Sequence, residues 1–317
     1  MRPGGAGTLL PMLKPRALRP GDTVAVVTPS SSIDEERLNK GLGVLHRAGY
    51  KTKIYPHVLD SHFYLGGTDE DRAKDLMAAF QDPECAAVYC SRGGYGCARL
   101  FPYLDLDIMA QSGKMFLGFS DISTMHIALN QKGLVTFHTP MALTLAYDRE
   151  PWVIESFVNL LAGDPTIPAA AKKGETIVPG IAEGVLTGGC LCLLTDSIGT
   201  PYPLETEGKL LLIEDVDENP HRIDAMMTQM MNTGLLQKCA GIIVGEMTGT
   251  DERSDPTMGG RPWRSIIDER LLQVGVPSVV NFPFGHMKTM LSLPLGICGK
   301  LDADAGTLEY LESPFSG

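Results

Sequence analysis

The sequence lacks an apolar run of the roughly 18 to 20 residues that a membrane-spanning helix needs. The apolar stretch near its start, residues 8–13, is short and contains Pro11, so we predict neither a signal peptide nor a membrane partner. The cysteines include no CxxC pair and the histidines no HxxH pair, and Cys190-x-Cys192 alone is a weak zinc signal. We therefore expect no metal and no other cofactor.

Basic residues are also too few for a protein whose main partner is nucleic acid. The chain has 27 Lys and Arg against 38 Asp and Glu, a net charge of −11, whereas phosphate backbones attract a surplus of positive charge. The seven cysteines, an odd number in apolar surroundings, favour reduced thiols and a cytoplasmic location. At 317 residues the chain is long enough for two folded domains.

Strand and helix signals alternate through the first half of the chain. A buried strand is predicted at 24–28 and further strands at 53–55, 87–90, 114–118 and 134–137, with helices over 34–48, 68–80 and 121–131. Thr68, followed by Asp71, is typical of a capping box at a helix start. Such alternation is typical of a parallel α/β sheet, so we predict an N-terminal α/β domain over 18–147, after an extension at 1–17.

The second half follows weaker signals at 148–179, which we interpret as an interdomain crossing. Strands are predicted at 210–213 and 241–246, and helices over 151–161, 221–231 and 262–274. Short β-prone pieces between Leu293 and Leu311, separated by glycines, indicate antiparallel strands. We therefore predict a C-terminal α/β domain with additional antiparallel strands over 180–317.

Ser120 lies in the turn Gly118-Phe119-Ser120-Asp121, between a predicted strand and a predicted helix. There a serine hydroxyl points out at the carboxyl end of a sheet, and free N–H groups at the helix start can face a developing oxyanion. The G-x-S-x-G elbow motif is incomplete, because Ile122 replaces its second glycine. The turn therefore predicts either a nucleophile or a helix N-cap, a position that serine also favours.

A glycine-rich loop, residues 92–96, follows the neighbouring predicted strand. Its three glycines allow main-chain N–H groups to approach a ligand closely. The loop therefore indicates an oxyanion donor, a phosphate site or an ordinary turn, but not a Walker loop, because no Gly-Lys-Ser/Thr follows. For an oxyanion, the N–H groups of Gly94 and Asp121 are the candidates.

Two further candidates belong to the second half. Glu214 directly follows the apolar residues 210–213, where a strand leaves the core. The acidic run from Glu214 to Glu218 also permits a calcium site without the EF-hand pattern, or favourable charges at a helix N-terminus. His286 follows an apolar segment and a glycine, and is either a site residue or an ordinary packed histidine. With Ser120, these residues supply nucleophile, acid and base at three predicted strand ends.

At these residues the sequence resembles the LD-carboxypeptidase family of serine peptidases, over about residues 18–311. The blocks that carry the resemblance are Thr28-Pro29-Ser30-Ser31, Ser91-Arg92-Gly93-Gly94-Tyr95-Gly96, Gly118-Phe119-Ser120-Asp121, Leu186-Thr187-Gly188-Gly189, Gly199-Thr200-Pro201-Tyr202, Leu212-Ile213-Glu214-Asp215, Gly285-His286 and Leu293-Pro294-Leu295-Gly296. The resemblance implies Ser120, Glu214 and His286 as a catalytic triad, a flavodoxin-like N-terminal domain and, commonly, a homodimer. Cys190 departs from the asparagine that family members often carry.

The resemblance also implies a small-peptide substrate, a cytoplasmic murein tetrapeptide that loses its terminal D-Ala during peptidoglycan recycling. Two other functions stay open. One is that of the microcin C self-immunity hydrolases, which cleave aminoacyl-sulfamoyl adenylates and would need an aromatic shelf such as Trp152 or Trp263. The other is non-catalytic binding of cell-wall peptides. The group that binds the substrate carboxylate is left open between Arg92, Arg222 and other arginines.

Overall fold

The computed structural model describes residues 12–255, 257 and 260–317, so residues 1–11 of the expected N-terminal extension lie outside the described part. The strands are β1 (Thr23–Val27), β2 (Lys51–Ile54), β3 (Cys85–Cys90), β4 (Met115–Gly118), β5 (Thr136–His138), β6 (Glu175–Val178), β7 (Ile181–Cys190), β8 (Leu210–Val216), β9 (Gly241–Thr248), β10 (Ser278–Val280), β11 (Leu293–Leu295), β12 (Cys298–Asp302) and β13 (Thr307–Tyr310). The α-helices are α1 (Glu35–Arg47), α2 (Asp69–Gln81), α3 (Leu106–Gln111), α4 (Ser123–Gln131), α5 (Ala142–Leu145), α6 (Pro151–Leu161), α7 (Leu191–Asp196), α8 (Pro220–Asn232) and α9 (Trp263–Val274).

The first sheet has six strands in the order β11-β5-β4-β3-β1-β2. Strands β1 to β5 are parallel, and their order is the flavodoxin-like one. β11 comes from near the end of the chain and pairs antiparallel with β5. The prediction of an α/β fold with a flavodoxin-like parallel sheet in the N-terminal half is confirmed.

Local sequence explains the strands of this sheet and the starts of the helices α1 and α2. Strands β3 and β4 are almost wholly buried apolar runs, as parallel strands covered on both faces require. Asp34 accepts the N–H of Arg37 at the start of α1, and Thr68 accepts the N–H of Asp71 at the start of α2, as predicted. The loops after β1, β3 and β4 therefore meet at the carboxyl edge of the sheet, where ligands bind in such folds.

The second sheet has the order β13-β12-β7-β8-β9-β10-β6. Its centre, β7 to β10, is parallel, and the outer pairs are antiparallel. The antiparallel strands predicted between Leu293 and Leu311 are confirmed as β11 in the first sheet and β12 and β13 in the second. Strand β8 continues through Glu214 to Val216, so it does not end before the carboxylate. Apolar patterning placed that boundary too early, because a buried carboxylate with partners interrupts the apolar run without interrupting the strand.

The segment 148–179 packs against both sheets. Helix α6 buries Val153, Phe157 and Leu160 in the hydrophobic core that covers the first sheet. Strand β6 forms one edge of the second sheet beside β10. A separate apolar cluster includes Met226, Met227 and Met230 from α8 and side chains of α9. Among the described residues, no helix has the length and apolar character to span a membrane.

Candidate active site

Ser120 begins a short 3-10 turn, Ser120–Ile122, between β4 and α4. Its φ of 65° lies in the left-handed region, where a serine is strained, and such strain is concentrated at functional turns. The N-cap residue is Phe119 for this turn and Ile122 for helix α4, so the interpretation of Ser120 as an ordinary helix cap is wrong. The strand, strained turn and helix together present the hydroxyl at the carboxyl edge of the first sheet.

Two glycines make this turn possible. A Cβ at Gly118 would lie 3.0 Å from Ile122, inside the turn. A Cβ at Gly93 would lie 2.7 Å from the Cβ of Ser120, so the glycine-rich loop packs directly against the serine. The neighbouring Gly94 has a φ of 112°, which a side chain would strain.

Ser120, His286 and Glu214 form a continuous hydrogen-bonded chain. His286 Nε2 is 3.0 Å from Ser120 Oγ, and His286 Nδ1 is 2.6 Å from Glu214 Oε2. The same Glu214 oxygen also accepts the N–H of His286, at 3.1 Å. The serine comes from the first sheet, the glutamate from β8 of the second sheet, and the histidine from the loop after β10. The three residues singled out from the sequence are therefore brought together.

The electrostatics of this chain fix its protons. Burial raises the pKa of Glu214, but the charge and hydrogen bond of His286 outweigh burial and hold the pKa below its usual value. Burial lowers the pKa of His286, and the charge and hydrogen bond of Glu214 overcome this, so the net pKa is raised. An ionised Glu214 only accepts, so Nδ1 carries the histidine proton and Nε2 is left to accept the Ser120 hydroxyl.

Gly285 is the tightest contact around Glu214. Its φ is 90°, and an added Cβ would lie 2.4 Å from Glu214 Cγ and 2.5 Å from Oε2. We expect Gly285→Ala to displace the carboxylate and lower kcat by at least about 100-fold, because small misplacements of a site residue cost that much. Gly275→Ala is the matched control, since Gly275 has a φ of 75° and open space around it. Equal, small losses of activity in both variants would contradict this account.

Ser120 and His286, two members of the hydrogen-bonded chain, line a cleft of about 410 Å³ between the two halves of the molecule. Its walls are formed by Arg92, Gly93, Gly94, Phe119, Ser120, Met141, Leu143, Thr144, Tyr147, Arg149, Val216, Asp217, His286 and Met290. A larger cavity, lined among others by Met12, Leu186 and Cys298, contains neither Ser120 nor His286 nor Glu214. Ser120 therefore faces the smaller cleft.

Two arginines of this cleft bind only carbonyl oxygens among the described residues. Arg92 donates to Gly93 O and Ser32 O, and Arg149 donates to Thr144 O and to Lys288 O, two residues after His286. Burial lowers the pKa of both side chains, though guanidinium groups stay protonated. Each cation thus faces the cleft without a carboxylate partner. Arg149 lies in the weakly patterned segment 148–179 and carried no sequence signal of its own.

Arg222, the other arginine named from the sequence, is not part of the cleft wall. Its guanidinium lies 4.0 Å from Glu218, and its side chain is largely exposed. The acidic run from Glu214 does not form a calcium site either. Glu214 pairs with His286 at 2.6 Å, and Asp217 pairs with Arg253 at 3.0 Å, so the carboxylates of the run do not converge on one point.

His138 lies between the rings of Phe119 and Phe284. It is buried, and neither ring nitrogen has a hydrogen-bond partner among the described residues; Glu214 Oε1 is likewise unpartnered. Burial lowers the pKa of His138 to about 4. The imidazole is therefore neutral near pH 7.

This buried histidine predicts acid sensitivity. The unfolded chain binds a proton at His138 near pH 6.5, whereas the folded chain resists until about pH 4. The free energy of unfolding should therefore fall by up to about 3 kcal/mol as pH drops through this window. His138→Phe should remove that part of the fall in denaturant titrations at pH 7 and pH 4, and the exposed His221→Gln should not. An unchanged pH dependence in His138→Phe would contradict the assignment.

Comparison with known proteins decides the family. Residues 24–139 match the LD-carboxypeptidase N-terminal domain, and residues 183–301 match the LD-carboxypeptidase C-terminal domain. A putative carboxypeptidase of Streptomyces coelicolor is 42% identical over 94% of this chain and 96% of its own length. The chain belongs to the LD-carboxypeptidase family. It is accordingly a peptidase by family, and the resemblance of its motifs is confirmed.

Other members of the family differ in what their names state. A probable murein peptide carboxypeptidase of Bacillus subtilis is 36% identical over 89% of each chain. The crystal structure of a muramoyltetrapeptide carboxypeptidase from Oxalobacter formigenes has a TM-score of 0.80 and 28% identity, covering 90% of this chain and 97% of that one. The microcin C7 self-immunity protein of Escherichia coli is 25% identical over 93% of this chain and 95% of its length. The names of these similar proteins thus state two roles, murein peptide carboxypeptidase and microcin C7 self-immunity.

Proposed function

We propose that this protein is a serine carboxypeptidase that hydrolyses the L,D-peptide bond before a C-terminal D-amino acid. The observation that carries the proposal is the hydrogen-bonded chain from Ser120 through His286 to Glu214. Its members are 72 and 166 residues apart, and each lies on a different element. A nucleophile, a base and an orienting acid in this order are what acyl transfer through a serine requires.

In the proposed mechanism, His286 Nε2 takes the Ser120 proton as Oγ attacks the scissile carbonyl. Glu214 keeps the proton on Nδ1 and stabilises the imidazolium that forms. His286 then gives its proton to the leaving amine, which departs as the free D-amino acid. Water hydrolyses the acyl-enzyme by the same proton transfers in reverse, and Ser120 is regenerated.

We propose the N–H groups of Gly94 and Asp121 as donors to the oxyanion. Asp121 N–H lies at the start of the turn that carries Ser120, where helix N–H groups are free. Gly94 lines the same cleft, and its N–H donates no hydrogen bond to the described residues. The close approach of Gly93 to Ser120 brings this loop within reach of a carbonyl attacked by Oγ.

Arg92 and Arg149 supply the reason for a carboxypeptidase over an endopeptidase. The terminal carboxylate lies only three bonds beyond the scissile carbonyl carbon, so it must be held in the same cleft as Ser120. Two guanidinium groups without carboxylate partners line that cleft, and each has an Nη2 group that donates to no described residue. We propose that they bind the free C-terminal carboxylate of the substrate.

Arg149→Met should lower kcat/KM for a peptide with a free C-terminal carboxylate by about 10- to 100-fold, the value of a lost charge-assisted hydrogen bond. The same peptide with a C-terminal amide should be cleaved equally by wild type and variant, because no carboxylate is bound. Arg92→Met, measured in parallel, divides the effect between the two arginines. If both variants keep the wild-type ratio of kcat/KM between the free-acid peptide and the amide peptide, another group binds the carboxylate.

For the substrate, we propose the murein tetrapeptide L-Ala-γ-D-Glu-meso-Dap-D-Ala, cleaved during peptidoglycan recycling. Relatives described as murein peptide carboxypeptidases support it. The test is release of D-Ala from this peptide, with the analogue that ends in L-Ala as the stereochemical control. No turnover of the D-Ala peptide by a protein that still reacts with a fluorophosphonate would reject the substrate and keep the nucleophile.

The second candidate is hydrolysis of aminoacyl-sulfamoyl nucleotides, supported by similarity to the microcin C7 self-immunity protein. That activity needs an aromatic surface for the base. Trp152 and Trp263 instead pack against the two hydrophobic clusters, and of the aromatic side chains in the cleft wall only Tyr147 is largely exposed. Cleavage of glutamyl sulfamoyl adenosine faster than the tetrapeptide would favour this function.

A further inference from the structure

Two thiols and a carboxylate cluster beside Glu214, outside the cleft that contains Ser120. Cys190 ends β7, Cys192 lies in the first turn of α7, and Asp215 follows Glu214 in β8. The pairing of β7 with β8 places Cys190 opposite Glu214. Asp215, the next residue, therefore lies beside Cys190 and Cys192, which precede it by 25 and 23 residues in the sequence. Cysteine spacing alone therefore gives only part of this group.

The distances in the cluster fit a tetrahedral cation. Cys190 Sγ is 3.4 Å from Cys192 Sγ and 3.5 Å from Asp215 Oδ1, and the three atoms all lie within 4.8 Å of one another. A zinc ion bound by sulfur at about 2.3 Å and oxygen at about 2.0 Å has ligand edges of about 3.5–3.8 Å. The two edges that meet at Cys190 therefore already match coordination within a few tenths of an ångström.

Backbone groups already orient the carboxylate. The N–H of Val216 donates to Asp215 Oδ1 at 2.7 Å, and the N–H of Cys192 donates to Oδ2 at 2.9 Å. Such outer contacts hold a metal-binding carboxylate in place. Cys190 and Asp215 are buried, whereas Cys192 is half-buried, so the group is reached from the Cys192 side.

We propose that Cys190, Cys192 and Asp215 form a structural binding site for a thiophilic divalent cation of the Zn²⁺ class, with water as the fourth ligand. As the cation enters, each thiol loses its proton, so two protons leave and two positive charges arrive. The charge beside Glu214 is therefore unchanged, and the cation acts by joining β7, α7 and β8. This site does not depend on the proposed function.

The other group of metal-ligating side chains among the described residues is weaker. The side chain of Asp60 is exposed, His57 and Asp71 are half-buried, and His57 Nδ1 already pairs with Asp60 at 2.9 Å. These residues offer hard oxygen ligands and no thiolate, so they would bind a cation with a different spectrum. His57→Gln therefore serves as a control that removes this group.

The test is a Co²⁺ titration of the reduced full-length chain at pH 8, with a phosphine reductant that keeps thiols from forming a disulfide. We expect one equivalent of Co²⁺ to give tetrahedral visible bands and a thiolate-to-cobalt charge-transfer band. Zn²⁺ should displace Co²⁺ and raise Tm, because it binds the folded state. Cys192→Ser should lose the charge-transfer band and the Tm shift.

Cys298→Ser replaces another half-buried thiol, and it should keep both signals, as should His57→Gln. Asp215→Asn should weaken Co²⁺ binding at least about 10-fold while the thiolate band persists. Absence of a thiolate band in wild type, or its persistence in Cys192→Ser, would overturn the proposal. Bands lost only in His57→Gln would assign the cation to the His57 group and overturn the proposal equally.

Discussion

Ser120→Ala is expected to lower kcat/KM for D-Ala release by about 10⁶-fold, because removal of the nucleophile disables a serine–histidine–acid site as a unit. The hydroxyl makes its hydrogen bond to His286 Nε2 at 3.0 Å, and no other described serine hydroxyl contacts that nitrogen. Alanine also tolerates the turn no worse than serine, so the free energy of unfolding should change by less than about 1 kcal/mol. The rate is measured by coupled detection of free D-Ala.

The control for this variant is Ser61→Ala, at an exposed serine outside the cleft, which should retain full activity. Denaturant titration of both variants separates lost chemistry from lost folding. A Ser120→Ala protein that is folded and keeps more than about 1% of the wild-type rate would assign the nucleophile to another group.

Glu214→Gln carries the second largest expected effect, a fall in kcat of about 10³- to 10⁴-fold. A glutamine amide can donate to His286 Nδ1, which favours the proton on Nε2 and prevents it from accepting the serine proton. The side chain is buried and has nearly the same shape, so packing is kept. Single-turnover kinetics on the tetrapeptide measure the loss in the acylation step.

The pH profile gives this variant an independent readout. His286 must be neutral to act as a base, and Glu214 raises its pKa, so wild-type kcat/KM should fall as pH drops through a value above the usual 6.5 or so. Without the carboxylate charge, the acid limb of Glu214→Gln should move to lower pH. Glu218→Gln, four residues further on, should leave rate and profile unchanged. An unmoved acid limb in Glu214→Gln would contradict the role of the carboxylate.

The parts of the fold that local sequence determines were predictable. Apolar runs such as 87–90 and caps such as Thr68 place strands and helices because the pattern depends on neighbouring residues only. The position of β11 was not predictable. Its three residues join the first sheet beside β5, more than 150 residues earlier, and no local pattern specifies such a partner.

The candidate site residues that follow a predicted strand could be found from the sequence. Residues whose position depends on packing between distant segments could not. The role of Ser120 was ambiguous in sequence because a turn serine also suits a helix cap, and the structure excludes only the cap. Glu214 was found although its strand continues past it. Arg149 acquires its position from long-range packing, so spacing gave no signal for it. The domain boundaries, the cytoplasmic location and the homodimer stay predictions.

The most direct test of the central claim is the site at which a fluorophosphonate probe attaches to the native chain. The tryptic peptide of residues 115–132 contains Ser120 and the buried Ser123, and fragmentation distinguishes the two. We predict one adduct, on Ser120, that forms slowly in Glu214→Gln and is absent in Ser120→Ala. An adduct on another residue, or undiminished labelling of Ser120→Ala, would contradict the account.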